Sequence, residues 1–98
     1  LMVASMLTDT PLTRQEAAKT LYQMAKQLGL DTEAGADVDL TQFTDADEID
    51  ADAEDAVRWA YASDLLTEKD GKLRVQEDLS RKELSRMLED LLALSSAD

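Results

Sequence analysis

Cysteine and histidine are both missing from the 98 residues. Without cysteine there is no disulfide, no thiolate nucleophile and no cysteine-held metal, and without histidine the commonest general base and zinc ligand is gone. No apolar run is long enough to cross a bilayer, which argues against membrane insertion. The opening LMVASML is seven residues long with no basic residue before it, so it does not read as an intact signal peptide. Positive charge is scarce as well: 10 basic residues face 22 acidic ones, and the net charge of -12 repels nucleic acid and anionic lipid surfaces. The lack of cysteine is compatible with an extracellular location without requiring it. With 44% hydrophobic and 33% charged residues, the chain reads as a soluble globular domain with a modest core.

Helical periodicity stands out in three stretches. Between Thr13 and Leu28, the positions Ala17, Ala18, Leu21, Tyr22, Ala25 and Leu28 recur at intervals of three and four, and Gly29 supplies a stop. Between Asp52 and about Ser63, the residues Ala53, Ala56, Val57, Ala60 and Tyr61 form a stripe small enough for close packing. Between Ser80 and Leu94, the residues Leu84, Met87, Leu88, Leu91 and Leu92 form the strongest stripe. No segment sustains period-two alternation, so the expected class is all-α, a small helical bundle with at most short strand pieces near Leu73 to Val75. From Asp31 to Ala56 there are eleven acids and no base, which suits a solvated loop leading into a helix N-terminus.

One decapeptide is written twice. LTRQEAAKTL begins at Leu12 and LSRKELSRML at Leu79, 67 positions later. Thr13 with Glu16, and Ser80 with Glu83, have capping-box spacing, each preceded by a leucine suited to a hydrophobic staple. Capping explains every repeated residue type except arginine. Arg14 and Arg81 fall at the first helical position, where the dipole disfavours a cation by about 0.3 to 1 kcal/mol. Two explanations remain open at this point. Each guanidinium pairs with an acid from elsewhere in the fold, or it joins the helix-start N–H groups in receiving a carboxylate or phosphate.

The residues resemble the S-layer homology (SLH) family, whose repeats end in a helix opening Thr-Arg-Ala-Glu. FTDA at Phe43 to Ala46 resembles the family's Phe-x-Asp-Val opening, and ADAEDAVRWAYASDLLTEKDGKL from Ala51 to Leu73 resembles its middle helix and following loop. DLSRKEL then closes the repeat. The resemblance implies a complete repeat within residues 43–98, preceded in 1–42 by the closing half of another repeat and an acidic linker. The sequence thus enters in mid-repeat, which accounts for the recurring decapeptide. It further implies a non-catalytic module that anchors a bacterial surface protein to the cell envelope, outside the cell. The implied partners are a secondary cell-wall polysaccharide carrying acidic groups, or neighbouring repeats of the parent protein.

By the same resemblance Arg14 and Arg81 match the motif arginine expected to meet the acidic sugar, Glu16 and Glu83 its glutamate, Asp45 the aspartate of the opening, and Trp59 a helix tryptophan. Trp59 serves interhelical packing equally well, and Asp45 could cap a helix. The chain departs from the family pattern at Asp64, where glycine is usual, near Thr67 and Glu68, where a second glycine is replaced, and at Asp52, Val75 and Ser80. A degenerate helical module used for protein contact is therefore the alternative, and it predicts that internal ion pairs consume the arginines. Two stretches carry partial calcium-loop spacing. Leu66 to Glu77 puts leucine where the first carboxylate belongs, and Asp37 to Glu48 lacks the turn glycine. Neither metal, cofactor nor catalytic pair is expected.

Overall fold

The computed structural model describes residues 12–95. Among the described residues three α-helices, α1 (Arg14–Gln27), α2 (Glu54–Ala62) and α3 (Arg81–Ser95), pack with intervening loops around one core, and the class is all-α. Each helix ends within two residues of the periodic stretch that predicts it. Three 3₁₀ turns, Leu40–Gln42, Ala46–Glu48 and Ala51–Ala53, are not predicted by any such period, and they fold up the acidic stretch. Such turns close with short-range i to i+3 backbone bonds, such as Phe43 N–H to the Leu40 carbonyl at 3.2 Å, and leave no long apolar period to read.

Helix α1 starts at the complete capping box. The Thr13 hydroxyl accepts from the Glu16 N–H, and the Glu16 carboxylate accepts in return from the Thr13 N–H at 3.0 Å. Its stripe of Ala17, Ala18, Leu21 and Ala25 is fully buried. It ends in a Schellman motif, with Leu30 N–H bonded to the Ala25 carbonyl at 2.9 Å and Gly29 N–H to that of Lys26 at 3.1 Å, around Gly29 at φ 76°. Helix α2 ends the same way. Leu65 N–H bonds to the Ala60 carbonyl and Asp64 N–H to that of Tyr61, with Asp64 itself at φ 62°. Asp64 thus takes the place for which a glycine is usual, using the tolerance of a short polar side chain for the left-handed region.

Trp59, 1% exposed, packs against Tyr22 across the α1–α2 interface with ring centroids 5.7 Å apart. Phe43 meets Tyr61 edge-on at 5.1 Å and so fastens the acidic stretch to α2. Gly35 lies so close to α2 that a Cβ there would stand 2.5 Å from the Arg58 carbonyl oxygen. The long α2–α3 loop sinks Leu65, Leu66, Leu73 and Val75 into the core. No strand forms near Leu73 to Val75, the place where short pieces are allowed at most. Two isolated bridges, Thr13 with Asp78 and Lys69 with Lys72, are the β-type pairings among the described residues. The reason lies with Asp45, whose buried carboxylate accepts from the N–H groups of Leu73 (3.0 Å), Arg74 (2.7 Å) and Val75 (3.4 Å). Those donors bend around a point charge and have none left for a strand partner, and Arg74 takes φ 58° to allow it.

Candidate functional site

The two copies of the repeated motif meet in space. Leu79 N–H donates to the Leu12 carbonyl at 2.7 Å, so the residues just before each cap run antiparallel. The loop ahead of α3 then supplies acceptors to the start of α1: Arg14 N–H bonds to the Glu77 carbonyl and Gln15 N–H to that of Val75, each at 3.0 Å. With Glu16 N–H on the Thr13 hydroxyl, the first-turn donors of α1 are consumed internally. An anion receptor made of free N–H groups is therefore absent at this helix start.

Arg14 shares in the closure. Only 4% exposed, it donates from Nε to the Leu73 carbonyl (3.0 Å), from Nη2 to the Thr67 carbonyl (3.0 Å) and from Nη1 to Glu83 Oε2 (2.9 Å). The planar fork reaches three acceptors in three directions, which an ammonium on a flexible stem does not hold in fixed geometry. Burial and the neighbouring Arg74 charge lower the Arg14 pKa, with Glu83 pulling it back up, and the group stays cationic. For Glu83, desolvation favours the neutral acid, but the Arg14 charge and the Ser80 hydrogen bonds outweigh it, and its pKa falls below the ordinary glutamate range. Glu83 keeps a 43% exposed side chain, so this one carboxylate faces both the buried guanidinium and solvent.

A cleft of about 600 Å³ opens on that solvent side, lined among the described residues by Thr67, Lys82, Glu83, Ser85, Arg86 and Glu89. Arg14 ties two of these together, since its Nη2 holds Thr67 and its Nη1 holds Glu83. Lys82, Ser85, Arg86 and Glu89 recur at helical spacing along one face of α3, away from the buried Leu84, Met87 and Leu91.

The other expected site residues are dispersed. Asp45, 5% exposed, is spent on the loop and makes no cap bond to the 3₁₀ turn that follows it. Trp59 borders a different cleft, of about 430 Å³, together with Gly29, Leu30, Ala34, Ser63 and Leu94. Glu16 is exposed, and its bonds from the Thr13 backbone and hydroxyl hold its pKa low. Arg81 is exposed at the first turn of α3. In the two stretches with partial calcium-loop spacing, Leu66 is buried and Glu68 accepts from the Gly71 N–H at 3.0 Å, closing a turn; no group of three or more acids among the described residues is placed to hold a metal ion. Thr67, Lys82, Ser85, Arg86 and Glu89 line the cleft although none of them is predicted as a site residue, even though Lys82, Ser85 and Arg86 lie within the second decapeptide. The α3 four could have been found from their outward stripe, whereas nothing in the sequence marks the Thr67 carbonyl.

Compared with protein families, residues 42–85 match the S-layer homology domain. This segment is an S-layer homology domain. No curated protein and no solved structure matches the chain. S-layer homology domains are non-catalytic modules that anchor proteins at the cell surface. The matched segment contains Asp45, Trp59, Thr67, Arg81 and Glu83, whereas the Thr13 to Glu16 motif that delivers Arg14 lies outside it.

Proposed function

We propose that this chain anchors its parent protein to a bacterial envelope by holding a secondary cell-wall polysaccharide non-covalently in the cleft between Thr67 and α3. The observation that carries the reading is the Arg14 tie, which fixes Thr67 and Glu83 as two walls of one cleft beside the S-layer homology signature. Hydroxyls, carboxylates and cations alternate along the lining, a mixture suited to the hydroxyls and charged substituents of a sugar. Arg14, Asp45 and Trp59 act here as positioning residues. Each is at most 5% exposed and holds, respectively, the cleft walls, the loop carrying Leu73, and the α1–α2 packing. Glu83 and Arg81 are the motif residues left at the surface to meet the sugar, and Glu16 serves the α1 cap. In this reading residues 1–42 are the closing half of a preceding repeat with its acidic linker, and 43–98 are a whole one.

A sedimentation assay with purified cell walls tests the proposal. Wild type is retained, while Ser85→Trp, which fills the cleft from an exposed position, passes to the supernatant with an unchanged melting temperature. Equal retention of the two proteins would remove the cleft from consideration. One observation favours a second reading: internal bonds do consume Arg14, as expected of a helical module used for protein contact. That module would leave wild type in the supernatant from the start.

A further inference from the structure

Glycine follows aspartate once in the sequence, at Asp70 and Gly71, and asparagine does not occur. The pair makes the tip of the turn between Lys69 and Lys72, whose N–H groups and carbonyls bond reciprocally at 2.8 and 3.0 Å. Both tip residues take positive φ, 55° for Asp70 and 78° for Gly71, as a two-residue hairpin turn demands. The Asp70 side chain is exposed and has no hydrogen bond or ion pair among the described residues. Gly71 is held on both sides. Its carbonyl accepts from the Thr44 N–H at 2.9 Å, and its own N–H donates to Glu68 Oε2 at 3.0 Å. An aspartate carboxyl carbon can close a five-membered ring with the amide nitrogen of the next residue, and a glycine there has no side chain to bar the approach. Closure requires that nitrogen to lose its proton. The Glu68 carboxylate accepts the hydrogen bond of that proton and places a negative charge beside it, and both effects favour the protonated, unreactive amide.

We propose that Asp70 and Gly71 form a site of spontaneous conversion of aspartate to isoaspartate, and that Glu68 sets its rate. In the first step the Gly71 nitrogen bonds to Asp70 Cγ, the Cγ–OH bond breaks, and the hydroxyl leaves with the amide proton as water, giving a succinimide. In the second, water adds to the main-chain carbonyl carbon of Asp70 and the bond from that carbon to the Gly71 nitrogen breaks. The product has a free α-carboxylate and a chain that runs through Cβ and Cγ. Nothing is oxidised, and the water released is returned, so mass is unchanged. The main chain gains one atom in a turn whose reciprocal Lys69 and Lys72 bonds fix its length, so those bonds and the Gly71 contact to Thr44 are lost. Thr44 adjoins Asp45, which gathers the Leu73, Arg74 and Val75 N–H groups, and the conversion therefore loosens the loop at its own anchor. The proposal is independent of the cleft and of what the chain binds there.

The test follows isoaspartate at residue 70 during prolonged warm incubation of the folded chain at neutral pH, for wild type, Glu68→Ala, Glu68→Gln and Asp70→Glu. Cleavage after arginine releases residues 59–74, and a protease that cuts before aspartate but not before isoaspartate reports the conversion. Glu68 is exposed, so its variants keep the fold, and a melting curve checks this. Removing the charge-assisted bond is expected to speed conversion about tenfold in Glu68→Ala. Glu68→Gln, which keeps an acceptor and loses the charge, should fall between Glu68→Ala and wild type. Asp70→Glu would need a six-membered ring and should stay unconverted. Converted wild type should exchange the Thr44 amide hydrogen faster than fresh protein. Equal rates in wild type and both Glu68 variants would overturn the role of Glu68, and no conversion in any of the three would overturn the site itself.

Discussion

A cation at the first position of a helix is placed against the local field, and Arg14 shows what can reverse that preference. Its charge is not spent on the dipole of α1 but on two carbonyls and a carboxylate from the far side of the fold. The bond to Glu83 is charge-assisted, and each of the three acceptors would lose its donor if the fork were withdrawn. Arg14→Lys keeps the charge and loses the geometry, so a loss of about 2 to 3 kcal/mol is expected in urea unfolding. A change below about 0.5 kcal/mol would show that one ammonium contact suffices. Asp45 follows the same logic with the sign inverted. Asp45→Asn removes the negative charge that gathers the Leu73, Arg74 and Val75 N–H groups and turns one acceptor into a donor, at an expected cost of about 2 kcal/mol. Hydrogen exchange at those three amides would rise before exchange in the helices does.

The helices themselves are held by their ends. Asp64 occupies the left-handed position of the α2 Schellman motif at a conformational cost that glycine does not bear, so Asp64→Gly is expected to raise stability by about 0.5 to 1 kcal/mol, read as a higher melting temperature. A lower one would mean that the aspartate side chain contributes more than its backbone conformation costs. The capping glutamates Glu16 and Glu83 both have lowered pKa values. A depressed acid contributes stability that is complete above its unfolded value and disappears as pH falls through the folded one. An acid titration of wild type should therefore lose stability below about pH 4.5, and Glu16→Gln should lose less over that range. These ends were legible in the sequence because a capping box and an i, i+3/i+4 stripe are local patterns. The contacts that build the cleft were not. Thr67 and Glu83 are joined by a residue 53 and 69 positions away, and no local spacing encodes such a distance. Arg14 was legible as a cation at a helix start, while its direction, inward or outward, stayed open, and its burial to 4% exposure decides for inward.

Across the whole molecule the dominant electrostatic fact is imbalance. Net charge is -12, and eleven of the 22 acids crowd residues 31–55, whose cationic partners among the described residues are Lys19 and Arg58. The 3₁₀ turns shorten the path between these carboxylates, and their mutual repulsion opposes the compact state. The visible ion pairs do little against it. Lys19–Asp52 joins side chains that are 40% and 72% exposed, the kind of surface pair worth about 0 to 1 kcal/mol. Screening should therefore help more than it harms. Raising ionic strength from about 0.01 M to about 0.15 M shortens the Debye length from about 30 Å to about 8 Å, which silences repulsion between acids across the loop but screens the partly buried Arg14–Glu83 contact less. The expected outcome is a melting temperature that climbs with sodium chloride over that range and then flattens. A melting temperature that falls with salt would show that exposed ion pairs outweigh acid repulsion, and that the acidic stretch is held by attraction to the cations around it.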